Sequence, residues 1–173
     1  MISQETQMGV PDVSSFLEAF PAMSVRQLQI YMEWIERSLE RIDDTLLWAR
    51  PREGVNSIGN LMLHLEGNIR QWVLHGIGGE EDHRQRDSEF EAEGGLGIEA
   101  IYKMLSETVT QVIAVIQKPR TESEWMAPRI IQEFEASAFS AVYHIVEHFA
   151  YHTGQIAFLT KTASGEQLGF YDL

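Results

Sequence analysis

The sequence predicts an all-α protein, a bundle of four long helices with a long connection between the second and the third. Three observations carry this. Apolar residues recur at three-and-four spacing in four separate stretches, no two runs alternate as paired strands would, and the one long break in the pattern is charged.

Residues 1–22 contain Gly9, Pro11 and Pro21 with weak periodicity and read as an N-terminal arm, with room for a short helical turn at SSFLEAF. The bundle domain then occupies 23–173. Helix one is expected from Ser24 to Trp48, because Val25, Leu28, Met32, Ile35, Leu39, Ile42 and Leu46 recur near the helical period and Pro51 follows. Ser57 is a candidate N-cap for helix two, whose apolar positions run from Ile58 to Val73 and stop at the glycines Gly76 to Gly79. Glu80 to Gly95 is charged and aperiodic, part of a connection of about 20 residues, a length that usually marks a functional or wrapping loop. Helix three takes Ile98 to Ile116 and ends before Pro119. Residues 119–135 read as a short extended excursion, and helix four runs from near Ser137 to about Thr162, closed by Gly165.

The composition narrows the function classes. Hydrophobic residues make up 44% and charged residues 23% of the 173, ordinary for a globular chain. The net charge of -13 repels phosphate backbones, so nucleic acid is not an expected partner. No apolar run approaches the roughly 20 residues that span a bilayer, and the start MISQETQMGV lacks a basic segment followed by an apolar one; a cytoplasmic protein with no membrane partner is expected. There is no cysteine, which removes disulfides, a thiol nucleophile and thiolate metal sites. Any metal must be held by His, Asp or Glu.

Histidine is where the sequence departs from a plain bundle. Three of the six lie four apart in HIVEHFAYHTGQ, at His144, His148 and His152. Each step of four turns about 40° round a helix, so the three form one slanting line, and at least two fall on the stripe that Ile145, Phe149, Ile156 and Leu159 direct to the core. Buried imidazole nitrogens need either hydrogen-bond partners, as core histidines have, or a cation. Helix two carries a matching polar line, Asn60, His64, Asn68 and Gln71, with Gly67 allowing a close approach, which makes His64 the best outside ligand. Glu147 and Gln155 are candidate partners for a ligand's second nitrogen, and Asn60 and Asn68 are candidate neighbours of the ligands. His75 and His83 read as solvated. Arg70, Arg84 and Arg86 could meet an anionic substrate or thiol cofactor; the alternative for each is a solvated surface role.

HIVEH also has the H-x-x-E-H form of inverzincin metalloproteases, with His144 and His148 as zinc ligands and Glu147 as base. That family's third ligand lies far downstream, and only 25 residues follow His148 here. The better match covers most of the chain: NLMLHLEGNIRQW (60–72), RQRDSEF (84–90) and HIVEHFAYHTGQ (144–155) together resemble the DinB-like (DinB/YfiT-type) metalloenzyme superfamily, in particular an uncharacterised branch, a domain of unknown function with a long central loop. The resemblance implies up-down-down-up helix connectivity, frequent homodimers, and nickel or zinc on His64, His148 and His152, with His144 outside the ligand set as a neighbour. It further implies a small-molecule substrate, since characterised relatives include transferases and isomerases using bacillithiol, mycothiol or glutathione.

The leading expectation is a metal-dependent S-transferase that uses such a thiol. The alternatives are a non-catalytic bundle, stabilised by metal and mediating protein association, and a metal-dependent hydrolase with Glu147 as base.

Overall fold

The computed structural model describes residues 15–170 and is all-α in class. Its helices are α1 (Phe16–Leu39), α2 (Asp44–Trp48), α3 (Ile58–Ile69), α4 (Arg86–Glu91), α5 (Ile98–Ile116), α6 (Glu122–Met126) and α7 (Ala138–Ser164). A π-helical segment, Arg70–His75, continues α3. The short strands β1 (Arg129–Ile131) and β2 (Phe134–Ala136) pair antiparallel, with Ile130 opposite Glu135. Gln132 and Glu133 turn this hairpin with positive φ of 52° and 68°, the backbone that a two-residue hairpin turn requires.

α1 packs on α7 and α5, and α3 packs on α5, α7 and α4. The shared interior holds Leu28 and Ile35 of α1, Leu65 and Ile69 of α3, Leu105 and Val112 of α5, and Ile145 and Phe149 of α7, all at 0% exposure. Each such side chain contributes roughly 1.5–3 kcal/mol by leaving water, and this common core holds the two histidine-bearing helices, α3 and α7, face to face.

Helix one differs from its expected bounds at both ends. It begins at Phe16, eight residues before Ser24, so residues 16–22 are helical, whereas the rest of the expected arm, residues 1–14, lies outside the described residues. Pro21 lies within the helix and removes one backbone donor. An aromatic cluster holds this turn in place: Phe20 packs on Phe139 at 4.5 Å between ring centroids and edge-on to Trp125 at 5.5 Å. Ser24 returns its hydroxyl to the carbonyl of Phe20 at 2.8 Å, as a serine inside a helix does. At the other end α1 stops at Leu39, and α2 starts afresh because Asp43 caps it, accepting from the Leu46 N–H at 2.9 Å. Trp48 then lies flat on Gly59, where a Cβ would come within 2.7 Å of its ring.

The remaining long helices fall close to expectation. Ser57 caps α3 in a reciprocal box with Asn60, and Ser137 caps α7 in one with Ser140. Gly165 closes α7 in the left-handed conformation, φ 73°. The charged connection contains a helix that periodicity did not reveal, α4, whose six residues are too few to display a period; it packs on α3 through Glu89 and Phe90. The excursion after Pro119 is α6 followed by the hairpin.

Candidate metal centre

α3 contributes His64 and α7 contributes His148 and His152. One nitrogen from each lies within 4.8 Å of the others, the one such cluster among the described residues. His64 Nε2 and His148 Nε2 are 3.0 Å apart. His64 and His152 are buried and His148 is half-buried.

The outer nitrogens decide which atoms face inward. Glu89 Oε2 lies 2.9 Å from His64 Nδ1, and since a carboxylate only accepts, this contact places a proton on Nδ1, which in a neutral ring leaves the lone pair on Nε2; Arg84 Nη2 also stands 3.2 Å from Nδ1. Gln155 Oε1 accepts from His152 Nδ1 at 2.7 Å, which leaves the Nε2 of His152 basic as well. His148 Nδ1 has no partner although it is buried.

Two protonation patterns are open to this arrangement. His148 can donate from Nε2 to His64, which strands its own Nδ1 as an unpartnered acceptor, or it can join the other two in presenting a lone pair to a cation. Neutral imidazole is the commonest metal-binding side chain, and three of them form one of the known catalytic zinc sets. The 3.0 Å contact is slightly shorter than the roughly 3.3 Å between two nitrogens on one tetrahedral zinc, given Zn–N bonds of about 2.05 Å. The donor set therefore fits a divalent metal.

Electrostatics keeps His148 and His152 uncharged. Burial, reinforced by the neighbouring His152, His64 and His144 and by Arg84, pushes His148 down to about 2. Burial also pushes His152 down to about 4, with the Gln155 hydrogen bond acting in the opposite direction. His144 is lowered by burial, partly offset by the charge of Glu147. Glu89 behaves otherwise: burial raises it, but hydrogen bonds from His64 and Arg84 outweigh burial and hold the carboxyl below its ordinary value, hence ionised.

Glu89 is the functional residue that sequence reasoning missed. Arg84 grips its carboxylate with two bonds, Nε to Oε1 at 2.7 Å and Nη2 to Oε2 at 2.9 Å, and donates a third to Gln71 Oε1 at 2.9 Å. Gln71 in turn donates to Asp82 at 2.7 Å. Gly67 makes room for the pair, since a Cβ there would collide with Glu89 Oε1 and lie 3.0 Å from Arg84 Nε. The close approach anticipated at Gly67 is thus made by side chains from the connection. An arginine and a glutamate five apart in a charged segment, facing a glycine on a histidine helix, is the signal that was available.

The other expected neighbours divide. Gln155 Oε1 meets His152 Nδ1 at 2.7 Å. Asn60 makes no hydrogen bond to a histidine: its oxygen accepts from Ser57 N–H, and its amide donates to the carbonyls of Glu89 at 2.9 Å and Ala92 at 2.7 Å, tying α4 to α3. Asn68 reaches His144 Nε2 only at 3.5 Å. His144 packs against Trp72 with the rings tilted, 4.1 Å between centroids. Glu147 is exposed and bears on the site through its charge on His144. Arg84 is in the site but already bound to Glu89, Arg70 pairs with Glu66 at 2.8 Å and Thr108 at 2.9 Å, and Arg86 is exposed, its guanidinium over Phe90. His75 and His83 lie outside the cluster, His83 at the surface beside Glu81.

The family described as "Protein of unknown function (DUF1572)" matches residues 15–171. The chain belongs to the DUF1572 family. Two solved structures share the fold of this DUF1572 chain. A conserved protein from Enterococcus faecalis superposes with a TM-score of 0.67 at 12% identity, covering 84% of this chain and 97% of that one. A DinB-like protein from Bacillus cereus superposes with a TM-score of 0.64 at 16% identity, covering 81% and 90%. No curated protein sequence matches the chain. No helix among the described residues is long and apolar enough to cross a membrane.

Proposed function

We propose that this DUF1572 protein is a divalent-metal-dependent enzyme acting on a small molecule, with nickel or zinc on His64, His148 and His152 and an external low-molecular-weight thiol as co-substrate. The observation that carries the reading is the convergence of three imidazole nitrogens within 4.8 Å, two of them with their outer nitrogens tied to Glu89 and Gln155. The fold shared with the DinB-like protein is consistent with it. Three protein donors leave a divalent ion open to a further ligand, which is the mark of a catalytic rather than a structural site.

When bound, the ion would supply Lewis acidity that favours the thiolate form of a thiol. The residues of this chain orient and tune. Glu89 holds the proton of His64 Nδ1 and adds negative charge behind that ligand, Gln155 fixes His152, and Phe90 covers one side of His64 at 4.7 Å between ring centroids. With no cysteine in the chain, a reacting sulfur must come from outside. We also read the four long helices, α1, α3, α5 and α7, as an up-down-down-up bundle, because the connection after the π-helical segment is long enough to return α5 parallel to α3.

Elemental analysis of protein purified without chelator is expected to give about one nickel or zinc per chain, and His148→Ala should abolish it. Absence of stoichiometric metal, or metal retained by the variant, overturns the ligand set. A low-molecular-weight thiol should raise the melting temperature of metal-loaded protein and leave metal-free protein unchanged. If none of bacillithiol, mycothiol and glutathione does so, the protein is a metal-stabilised bundle without thiol chemistry.

A further inference from the structure

We propose that Asn68, Trp72 and His148 seat a neutral carboxamide group on the molecule that binds at the metal centre; the link to the metal rests on the metal-enzyme reading above. α3 and its π-helical continuation carry His64, Asn68 and Trp72 four apart, and α7 carries His152, His148 and His144 four apart. The two lines run past each other. His64 meets His148 at 3.0 Å, and one turn farther along Asn68 Nδ2 stands 3.5 Å from His144 Nε2, while the rings of Trp72 and His144 lie 4.1 Å apart between centroids. The π-helical turn opposes the roughly 40° drift that each step of four makes on an α-helix, which keeps Trp72 in line with Asn68.

This second rung is polar and unsatisfied. Asn68 and Trp72 are 4% and 8% exposed, yet Asn68 Oδ1 and Trp72 Nε1 have no hydrogen-bond partner, and neither has His148 Nδ1. All three residues surround the ring of His144, which lies 5.5 Å from that of His148 between centroids. Leaving a buried donor or acceptor unpaired is costly, and each such atom in a native protein asks for a partner. Three of them round one ring point to a single shared one.

The three atoms define the chemistry of that partner. With Nε2 of His148 turned to a cation, the proton of the neutral ring is on Nδ1, which makes it a donor. The Trp72 indole N–H is a second donor and Asn68 Oδ1 an acceptor. A carboxamide is the complement: its carbonyl oxygen has two lone pairs for the two donors, and its N–H serves Asn68. A hydroxyl offers the same count on one atom, whereas Asn68 and Trp72 stand a turn apart, about 6 Å along the axis. A carboxylate lacks the N–H, and Arg84, whose charge reaches His144 and His148, is already spent on Glu89 and Gln71.

The seat lies on the side from which the cluster is reached. His64 and His152 are buried, whereas His148 and His144 are half-buried, so the cluster opens to solvent past these two rings. His144 is the cover: it touches both Asn68 and Trp72, and its 3.5 Å contact to Asn68 is at the limit of a hydrogen bond and readily given up. His148 belongs to both places, with Nε2 facing His64 and Nδ1 unpartnered.

Co²⁺-loaded protein of measured metal content is titrated with mercaptoacetamide, mercaptoacetate and ethanethiol, read by thiolate-to-cobalt charge-transfer absorption. Mercaptoacetamide is expected to bind about tenfold or more tighter than the other two. Asn68→Leu and Trp72→Phe should each remove most of that advantage while ethanethiol binding, the sign of an intact metal site, stays unchanged. In parallel, acetamide is titrated into the Zn²⁺ form. The indole N–H signal of Trp72, assigned by its loss in Trp72→Phe, should shift in the wild type and stay fixed in Asn68→Leu. Equal binding of the three thiols, or an advantage that survives both substitutions, overturns the link between the seat and the metal centre. Co²⁺ bound without any thiol absorption overturns the thiol reading instead, and protein that takes up neither ion overturns the metal reading. In both of these cases acetamide, titrated into the protein as obtained, still decides the seat. A Trp72 signal indifferent to acetamide overturns it, ordered water then being the partner of the three atoms.

Discussion

Glu89 Oε2 stands 2.9 Å from His64 Nδ1, and the same carboxylate is held by Arg84 through two further hydrogen bonds. The pair holds His64 in one orientation, with a full negative charge behind its Nδ1. Partners of this kind change metal affinity by about 10- to 100-fold when mutated. Glu89→Gln should therefore weaken Zn²⁺ or Ni²⁺ binding by that factor while the helical circular dichroism is retained. Competition titration against a chromophoric chelator measures it, and an unchanged dissociation constant would sink the positioning role.

Gly67→Ala places a methyl group against Glu89 Oε1 and near Arg84 Nε. Both belong to one buried ion pair that cannot swing aside without losing its bonds, so overpacking should cost about 1–3 kcal/mol. Denaturant titration should show that loss, and metal affinity should fall in parallel because Glu89 is displaced from His64. A substitution that lowers stability and leaves affinity intact would separate Glu89 from the metal centre.

The pH dependence of the metal-free protein has a definite sign. His148 and His152 are held at about 2 and about 4 in the folded state, against an ordinary value of 6.5. Below 6.5 the unfolded chain takes up protons at these positions that the folded chain does not, so stability is greatest above pH 6.5 and declines as the pH falls from there through 4. Glu89, lowered in the folded state, adds a loss of the same sign at lower pH. Thermal melts in EDTA between pH 8 and pH 4 should show the decline, and His148→Gln should flatten it. A melting temperature that is level across this range contradicts the burial of neutral imidazoles.

Asn60 Oδ1 accepts from the Ser57 N–H and hydroxyl and its amide tethers α4, so Asn60→Ala leaves Ser57 as the cap but unpairs the buried Ser57 N–H, at a cost of about 1–3 kcal/mol, and leaves the Glu89 and Ala92 carbonyls without their donor. Chemical denaturation should give a loss toward the upper end of that range or beyond. Asn60→Asp keeps the acceptor for Ser57 and loses only the tether, so it should recover part of the loss; equal losses in the two variants would mean that the tether carries the whole effect.

The four apolar stripes, the caps at Ser57 and Ser137 and the stop at Gly165 were legible because helical period and capping chemistry are local: each is settled by residues within a few positions of one another. The same locality led helix one astray. Ser24 has the side chain of an N-cap, and nothing nearby reports that Phe20 reaches Phe139 and Trp125 to hold one more turn in place. Asp43 carried its capping signal openly, and the continuing apolar pattern hid it.

For the candidate site, sequence by itself determined the supply of chemistry: imidazoles on two helices, no thiolate, an acidic chain, and a glycine and a glutamine following His152. Which nitrogens face one another, and that Glu89 rather than Glu147 meets His64, only the tertiary structure decided. Glu147 is one residue from His148 in sequence yet exposed on α7, whereas Glu89 is 25 residues from His64 and 2.9 Å away. Helical geometry turns adjacent side chains about 100° apart, and the chain folds the charged connection back over Gly67, where desolvation lets Arg84 and Glu89 find in each other the partners that water no longer provides.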